Sequence, residues 1–132
     1  MRKKKVKTFG VVLAGGYGAR LWPVSRTKRP KHLLNLTSQK SLVQETVDRL
    51  SEVVDEVFII SEASHANELK RQLSNLPEEN IIFEPGRRGT ASCIGLAAVY
   101  LKKMREEGVA ISVPADHFIP EKESFISVLK SA

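Results

Sequence analysis

Phe9-Gly-Val-Val-Leu-Ala-Gly-Gly-Tyr-Gly-Ala-Arg-Leu-Trp-Pro-Val-Ser-Arg-Thr-Lys-Arg-Pro-Lys31 is the stretch whose reading decides the fold. The apolar run from Phe9 to Leu13 stops abruptly at Gly15, Gly16 and Gly18, which predicts a buried strand feeding a loop whose backbone can come close to a ligand. Cations follow at once: Arg20, Arg26, Lys28, Arg29 and Lys31. A glycine loop can aim several backbone N–H groups at one anion, and guanidinium and ammonium groups meet phosphate oxygens with charge-assisted hydrogen bonds. The pattern points to a nucleoside triphosphate.

Two commoner glycine-loop motifs do not fit. The dinucleotide fingerprint needs a third glycine for close helix packing, yet the corresponding position after Gly16-Tyr-Gly18 is Leu21, and no acidic residue is placed after a second strand as that motif requires. A P-loop needs Gly-Lys followed by Ser or Thr at the head of a helix. Here the glycines lead into Arg20-Leu-Trp-Pro23, where proline discourages an immediate helix.

Leu13-Ala-Gly-Gly-Tyr-Gly-Ala-Arg-Leu-Trp-Pro-Val-Ser-Arg26 with Pro30-Lys31 resembles the signature of the sugar-1-phosphate nucleotidylyltransferases, and its Leu-Trp-Pro-x-Ser-Arg form resembles the mannose-1-phosphate guanylyltransferase branch. Glu84-Pro-Gly-Arg-Arg-Gly-Thr-Ala91 and Pro114-Ala-Asp-His-Phe-Ile119 fall in the order and rough spacing of that branch. The resemblance extends over the whole chain.

Composition sets bounds that agree with a soluble globular unit. The chain has 132 residues, 42% hydrophobic and 27% charged, which suits one domain with a modest core. No apolar run approaches the roughly 20 residues of a membrane span, and the basic start is followed by a strand too short for a signal sequence. The expected location is the cytoplasm, with no membrane partner. Cys93 stands alone, without Cys or His at zinc-ligand spacing, and reads as a small core residue. The net charge of +6 is concentrated in the N-terminal tail and between Arg20 and Lys31, without interleaved aromatics to stack bases, so a nucleotide fits better than nucleic acid.

Along the chain, residues 32–36 read as a minor strand or a cover for the loop. Ser41-Leu-Val-Gln44 has the form of a capping box, and Leu42, Val43, Val47 and Leu50 share one helix face. Residues 56–61 form the second strand, 64–73 a helix with Leu69 and Leu73 inward, and 80–84 the third strand, ended by Pro85-Gly86. A helix from about Thr90 to Glu107 follows, apolar nearly all round in its first half and stopped by Gly108. Residues 109–113 are the fourth strand and a helix begins near Glu121. Alternating strands and helices predict an α/β fold with a largely parallel sheet covered on both faces. Gly15, Pro85 and Asp116 each follow a strand end, where ligands of open parallel sheets bind.

The resemblance implies a Rossmann-like nucleotidyltransferase fold, truncated here after about four main strands. It makes residues 1–132 the nucleotide-binding half, because the family's second metal-binding aspartate, its Glu-Lys-Pro-type motif and its sugar pocket lie in later sequence. It also implies transfer of GMP from GTP to mannose 1-phosphate, giving GDP-mannose and pyrophosphate. Arg20 then takes the β- and γ-phosphates, Lys31 matches the lysine near the reacting phosphates, and Asp116 matches the magnesium ligand. Leu13, Ala14, Gly15, Gly16, Gly18 and Ala19 form the nucleotide loop. Glu84, Pro85, Gly86 and Thr90 line the base and ribose, with backbone groups after the third strand reading the purine edge. The family's Gly-Arg-Asn-Thr-Ala-Pro is Arg87-Arg-Gly-Thr-Ala-Ser92 here, which leaves base selectivity open. Another sugar-1-phosphate nucleotidylyltransferase and a non-catalytic nucleotide-binding module stand as alternatives, and exposed apolar faces of such a half predict low stability or self-association.

Overall fold

A computed structural model describes residues 5–16, 24–26, 30–104 and 107–132. Four parallel strands form one sheet: β1 Lys7–Ala14, β2 Glu56–Glu62, β3 Ile81–Glu84 and β4 Gly108–Pro114, in spatial order β3-β2-β1-β4. The connections carry helices α1 Leu42–Ser51, α2 Ala66–Gln72 and α3 Thr90–Met104, and α4 Lys122–Ser131 follows β4. Parallel neighbours require such crossovers, because no tight turn can join them.

The alternation of side chains across the strands sorts the core into two layers. Val12 and Ala14 of β1 with Val57 and Ile59 of β2 pack beneath Val43, Val47 and Leu50 of α1 and Leu69 and Leu73 of α2. Phe9 and Val11 with Phe58, Ile60 and Ile82 face Cys93, Ala97 and Leu101 of α3. Helix α1 starts where its capping box predicts: Ser41 accepts from the Gln44 backbone N–H, and the Gln44 side chain accepts from the Ser41 backbone. It lies so close to β1 that a Cβ on Gly10 would sit 3.0 Å from Leu50 Cδ1 and 3.2 Å from Val54 Cγ2.

Several boundaries differ from the sequence reading, each for a local reason. Residues 31–33 form a 3₁₀ turn rather than a strand. Another 3₁₀ turn, Ala63–His65, precedes α2, and Asn80 closes a third, where its Nδ2 donates to the Val57 carbonyl at 2.9 Å. The described part of α3 reaches Met104, and Gly108 opens β4, where a Cβ would stand 2.5 Å from the Lys7 carbonyl oxygen. Glycine is there for backbone approach.

Helix α3 is also buried less than its composition predicts. Cys93, Ala97 and Leu101, spaced four apart, meet the sheet, while Ile94 and Val99 are 41% and 67% exposed. The sheet covers only one side of the helix. β4 is an edge strand of this sheet, and Val109 on it is likewise exposed.

Candidate active site

The sheet order places a switch point at β1, whose successor β2 lies on one side and β4 on the other. Crevices beyond the carboxyl ends of strands at such a point are where open α/β sheets hold ligands. Leu13 pairs with Pro114, and the Ala115 N–H donates to the Leu13 carbonyl at 3.1 Å, so Gly15 and Asp116 both lie just past one rung of the ladder. A cleft of about 550 Å³ opens there between the strand ends and the start of α3. It is lined by Leu13, Gly15 and Gly16 from the end of β1, Glu84 from β3, Arg87, Gly89, Thr90, Cys93 and Ile94 at the start of α3, and Ser112 and Pro114 from β4. A separate hollow of about 460 Å³ between α1 and α2 contains none of these strand-end groups.

Glu84 is 8% exposed, and no cation pairs with it among the described residues. The Cys93 thiol donates to its Oε2 at 3.1 Å. A Cβ on Gly15 would come within 2.7 Å of its Oε1, so a glycine at 15 is what lets the carboxylate reach across the end of β2 toward the loop. The loop after β3 is tied down by an ion pair between Arg87 and Glu62 at the end of β2. Gly89 has φ +86°, in the region open to glycine and, among other residues, best tolerated by asparagine and aspartate. An asparagine here could adopt the same backbone and would add an amide.

On the β4 side the charges are more exposed. Lys31 Nζ lies 3.4 Å from Asp116 Oδ2, with side chains 30% and 40% exposed. Behind the Asp116 turn, buried Arg49 reaches toward the His117 carbonyl at 3.5 Å and stacks its guanidinium 5.2 Å from the Phe125 ring centre. Its pKa is lowered by burial, with a smaller opposing effect of Glu45. His32, beside Lys31, is buried edge-on to His65 with ring centres 5.7 Å apart. Burial first, then the charge of His65, lowers its pKa to about 4, against weaker pulls from Asp116 and Glu62. The imidazole is neutral near pH 7.

Leu13, Gly15, Gly16, Glu84 and Thr90 thus meet in one cleft, as the strand-end argument expects. Ala14 is buried behind it, its carbonyl accepting from Ser61 Oγ at 2.9 Å. Pro85 and Gly86 lie in the connecting turn outside the lining, and Lys31 and Asp116 form their own pair. Gly18, Ala19 and Arg20 lie outside the described residues. Cys93 is the site residue that the sequence reading assigned to the core alone. The signal was its position three after Thr90, which puts both on one helix face.

A cleft at the carboxyl ends of parallel strands, beside a glycine loop and the opening of a helix, is the ligand-site arrangement of an open parallel α/β domain. The chain belongs to the nucleotidyl transferase family, which matches residues 9–132. It is 40% identical over 126 residues to a mannose-1-phosphate guanylyltransferase of Escherichia coli, covering 92% of this chain and 26% of that protein. It is 36% identical over 125 residues to the alginate biosynthesis protein AlgA of Pseudomonas syringae pv. tomato, with 92% and 26% covered. The crystal structure of a mannose-1-phosphate geranyltransferase from Thermus thermophilus superposes with a TM-score of 0.81 at 31% identity, covering 95% of this chain and 37% of that one. The chain spans about a quarter of the length of these curated relatives.

Proposed function

We propose that this chain forms the nucleotide side of a mannose-1-phosphate guanylyltransferase, binding GTP with magnesium for transfer of GMP to mannose 1-phosphate. The observation that carries the reading is the convergence of Gly15, Glu84 and Thr90 on one cleft, with Asp116 and Lys31 paired past the end of β4. The relatives' names supply the sugar. In the reaction a phosphate oxygen of mannose 1-phosphate attacks the α-phosphorus of GTP, and the bond to pyrophosphate breaks. That oxygen is already anionic at neutral pH, so alignment and charge stabilisation are the protein's main tasks. Arg20 is assigned to the leaving phosphates and Lys31 to the reacting ones.

Asp116 fits a magnesium ligand of the kind that shares its ion with nucleotide. Its carboxylate is partly exposed at a strand end, and no group of three or more His, Cys, Asp or Glu that could hold a metal occurs among the described residues. Magnesium uses few protein carboxylates and completes its shell with phosphate oxygens and water. When bound it neutralises charge on the triphosphate.

Residues 1–132 are read as the nucleotide side, and they span about a quarter of the length of the curated relatives; holding the sugar phosphate in line behind the α-phosphorus is a task of the whole transferase. The reading places the protein in the cytoplasm; no helix among the described residues is long and apolar enough to cross a membrane. The β4 edge and the exposed side of α3 favour self-association of the isolated chain. Calorimetric titration with GTP, ATP, UTP, CTP and dTTP in magnesium tests the nucleotide assignment. GTP is expected to bind tightest; a flat panel, or another nucleotide ahead, contradicts it.

A further inference from the structure

We infer that Arg49, buried in α1, is a positioning residue: with Thr46 it steadies the carbonyls on either side of Asp116, and so sets the Asp116 carboxylate for the magnesium of the nucleotide. The inference rests on the reading of Asp116 as a magnesium ligand, and it adds to that reading a support from the far side of the turn.

A guanidinium in this place needs a reason. Arg49 is 5% exposed, its Nε is buried without a hydrogen-bond partner, and no carboxylate forms an ion pair with it among the described residues. Burying a charge without a counter-ion is unfavourable, and a well-packed apolar side chain commonly serves a core better. What the guanidinium gains is the Asp116 turn. Its Nη2 lies 3.3 Å from Thr46 Oγ1 and 3.5 Å from the His117 carbonyl oxygen. The fully buried Thr46 hydroxyl, accepting from Nη2, has one proton to share between the Leu42 carbonyl at 2.8 Å and the Ala115 carbonyl at 3.4 Å. A cation with no carboxylate beside it draws the negative ends of nearby carbonyl dipoles, and the dry interior strengthens that pull.

The backbone of Asp116 is thereby held on both sides. The Ala115 N–H donates to the Leu13 carbonyl of β1, while the carbonyls of Ala115 and His117 turn to α1. Residues 117–119 belong to no helix or strand, so no ladder fixes the His117 carbonyl instead. The Asp116 side chain is left to the strand-end side, where its Oδ2 meets Lys31 Nζ at 3.4 Å. Phe125 of α4 packs against the guanidinium, its ring centre 5.2 Å from Cζ. A planar fork can donate at its edge while an aromatic ring covers its face, a combination that an ammonium does not offer.

The test is calorimetric titration of the full chain with GTP, with and without magnesium. Wild type is expected to gain about tenfold in affinity from the metal. Arg49→Met keeps an apolar stem and should cut the gain to about twofold, as loss of an outer support of a metal ligand does, with metal-free GTP binding within about twofold of wild type. Arg49→Lys, which keeps the charge without the fork, should recover part of the gain. In the Asp116→Asn background Arg49→Met should change nothing further, because the two residues act through one carboxylate. A merely structural Arg49 would weaken GTP binding equally with and without metal, and would do so in Asp116→Asn as well. Thr46→Val, which removes only the hydroxyl contacts, should lower the gain to about threefold. The full gain in Arg49→Met, or in Thr46→Val should Arg49→Met not fold, overturns the inference and spares the magnesium reading. A gain undiminished in Asp116→Asn, or absent from wild type, overturns both.

Discussion

On the β3 side of the cleft the polar groups are buried or held in place: Glu84 against the Cys93 thiol and Gly15, and Arg87 against Glu62 beside the left-handed turn at Gly89. On the β4 side Lys31 and Asp116 are partly exposed and paired with each other. The first arrangement suits a flat, uncharged base, which must be matched by a rigid wall. The second suits a triphosphate and its ion, whose charge can draw each member of an exposed ion pair away from its partner at little cost. The contrast teaches that packing fixes the polar groups around the end of β3, whereas a partly exposed pair past β4 can exchange partners.

The largest way to disturb this contrast is acid, acting on His32 below the exposed side. Its folded pKa of about 4 lies under the ordinary 6.5, so the unfolded chain binds the extra proton between those values. Stability is fully present above pH 6.5 and falls as the pH drops toward 4, by roughly 3 kcal/mol when the shift is complete. Urea unfolding from pH 7 to 4 should show the loss, and His32→Gln should flatten it. An equally steep loss in the variant would remove His32 as its cause.

On the β3 side, Gly89→Ala should cost about 1–2 kcal/mol, because a Cβ is disfavoured at φ +86°, and Gly89→Asn should cost less. Thermal melts of the two variants check this; equal losses would mean that the turn relaxes to another conformation. On the β4 side, Asp116→Asn is expected to remove about a tenfold gain in GTP affinity on adding magnesium, roughly 1.4 kcal/mol, with metal-free binding nearly unchanged. An undiminished gain would leave the ion carried by nucleotide alone. The smallest effect belongs to Lys31→Met without ligand. A partly exposed pair contributes about 0–1 kcal/mol, so the melting temperature should hardly move, and a drop of more than about 2 kcal/mol would show that the pair is structural.

The alternation of apolar runs made the four strands and their order of helices legible, because period 2 and period 3.6 are local properties of the chain. The second role of Gly108, close approach to the Lys7 carbonyl at the start of β4, was not legible, because a helix stop and a close strand approach call for the same residue. The outer surface of α3 was misjudged because composition does not reveal how much of a helix its sheet can cover. In the site, Gly15, Glu84 and Thr90 were legible together, since strand ends of a parallel sheet converge. The contact of Cys93 with Glu84 and the support of the Asp116 turn by Arg49 were not, because they depend on side chains meeting across elements 9 and 68 residues apart.

The central claim is that one nucleotide spans both sides of this cleft. Amide hydrogen exchange, measured with and without saturating GTP and magnesium, tests it most directly. Slowed exchange is predicted in residues 13–16, 85–93 and 115–117, with no change around the hollow between α1 and α2. Protection confined to that hollow, or absent from either side of the cleft, would contradict the account.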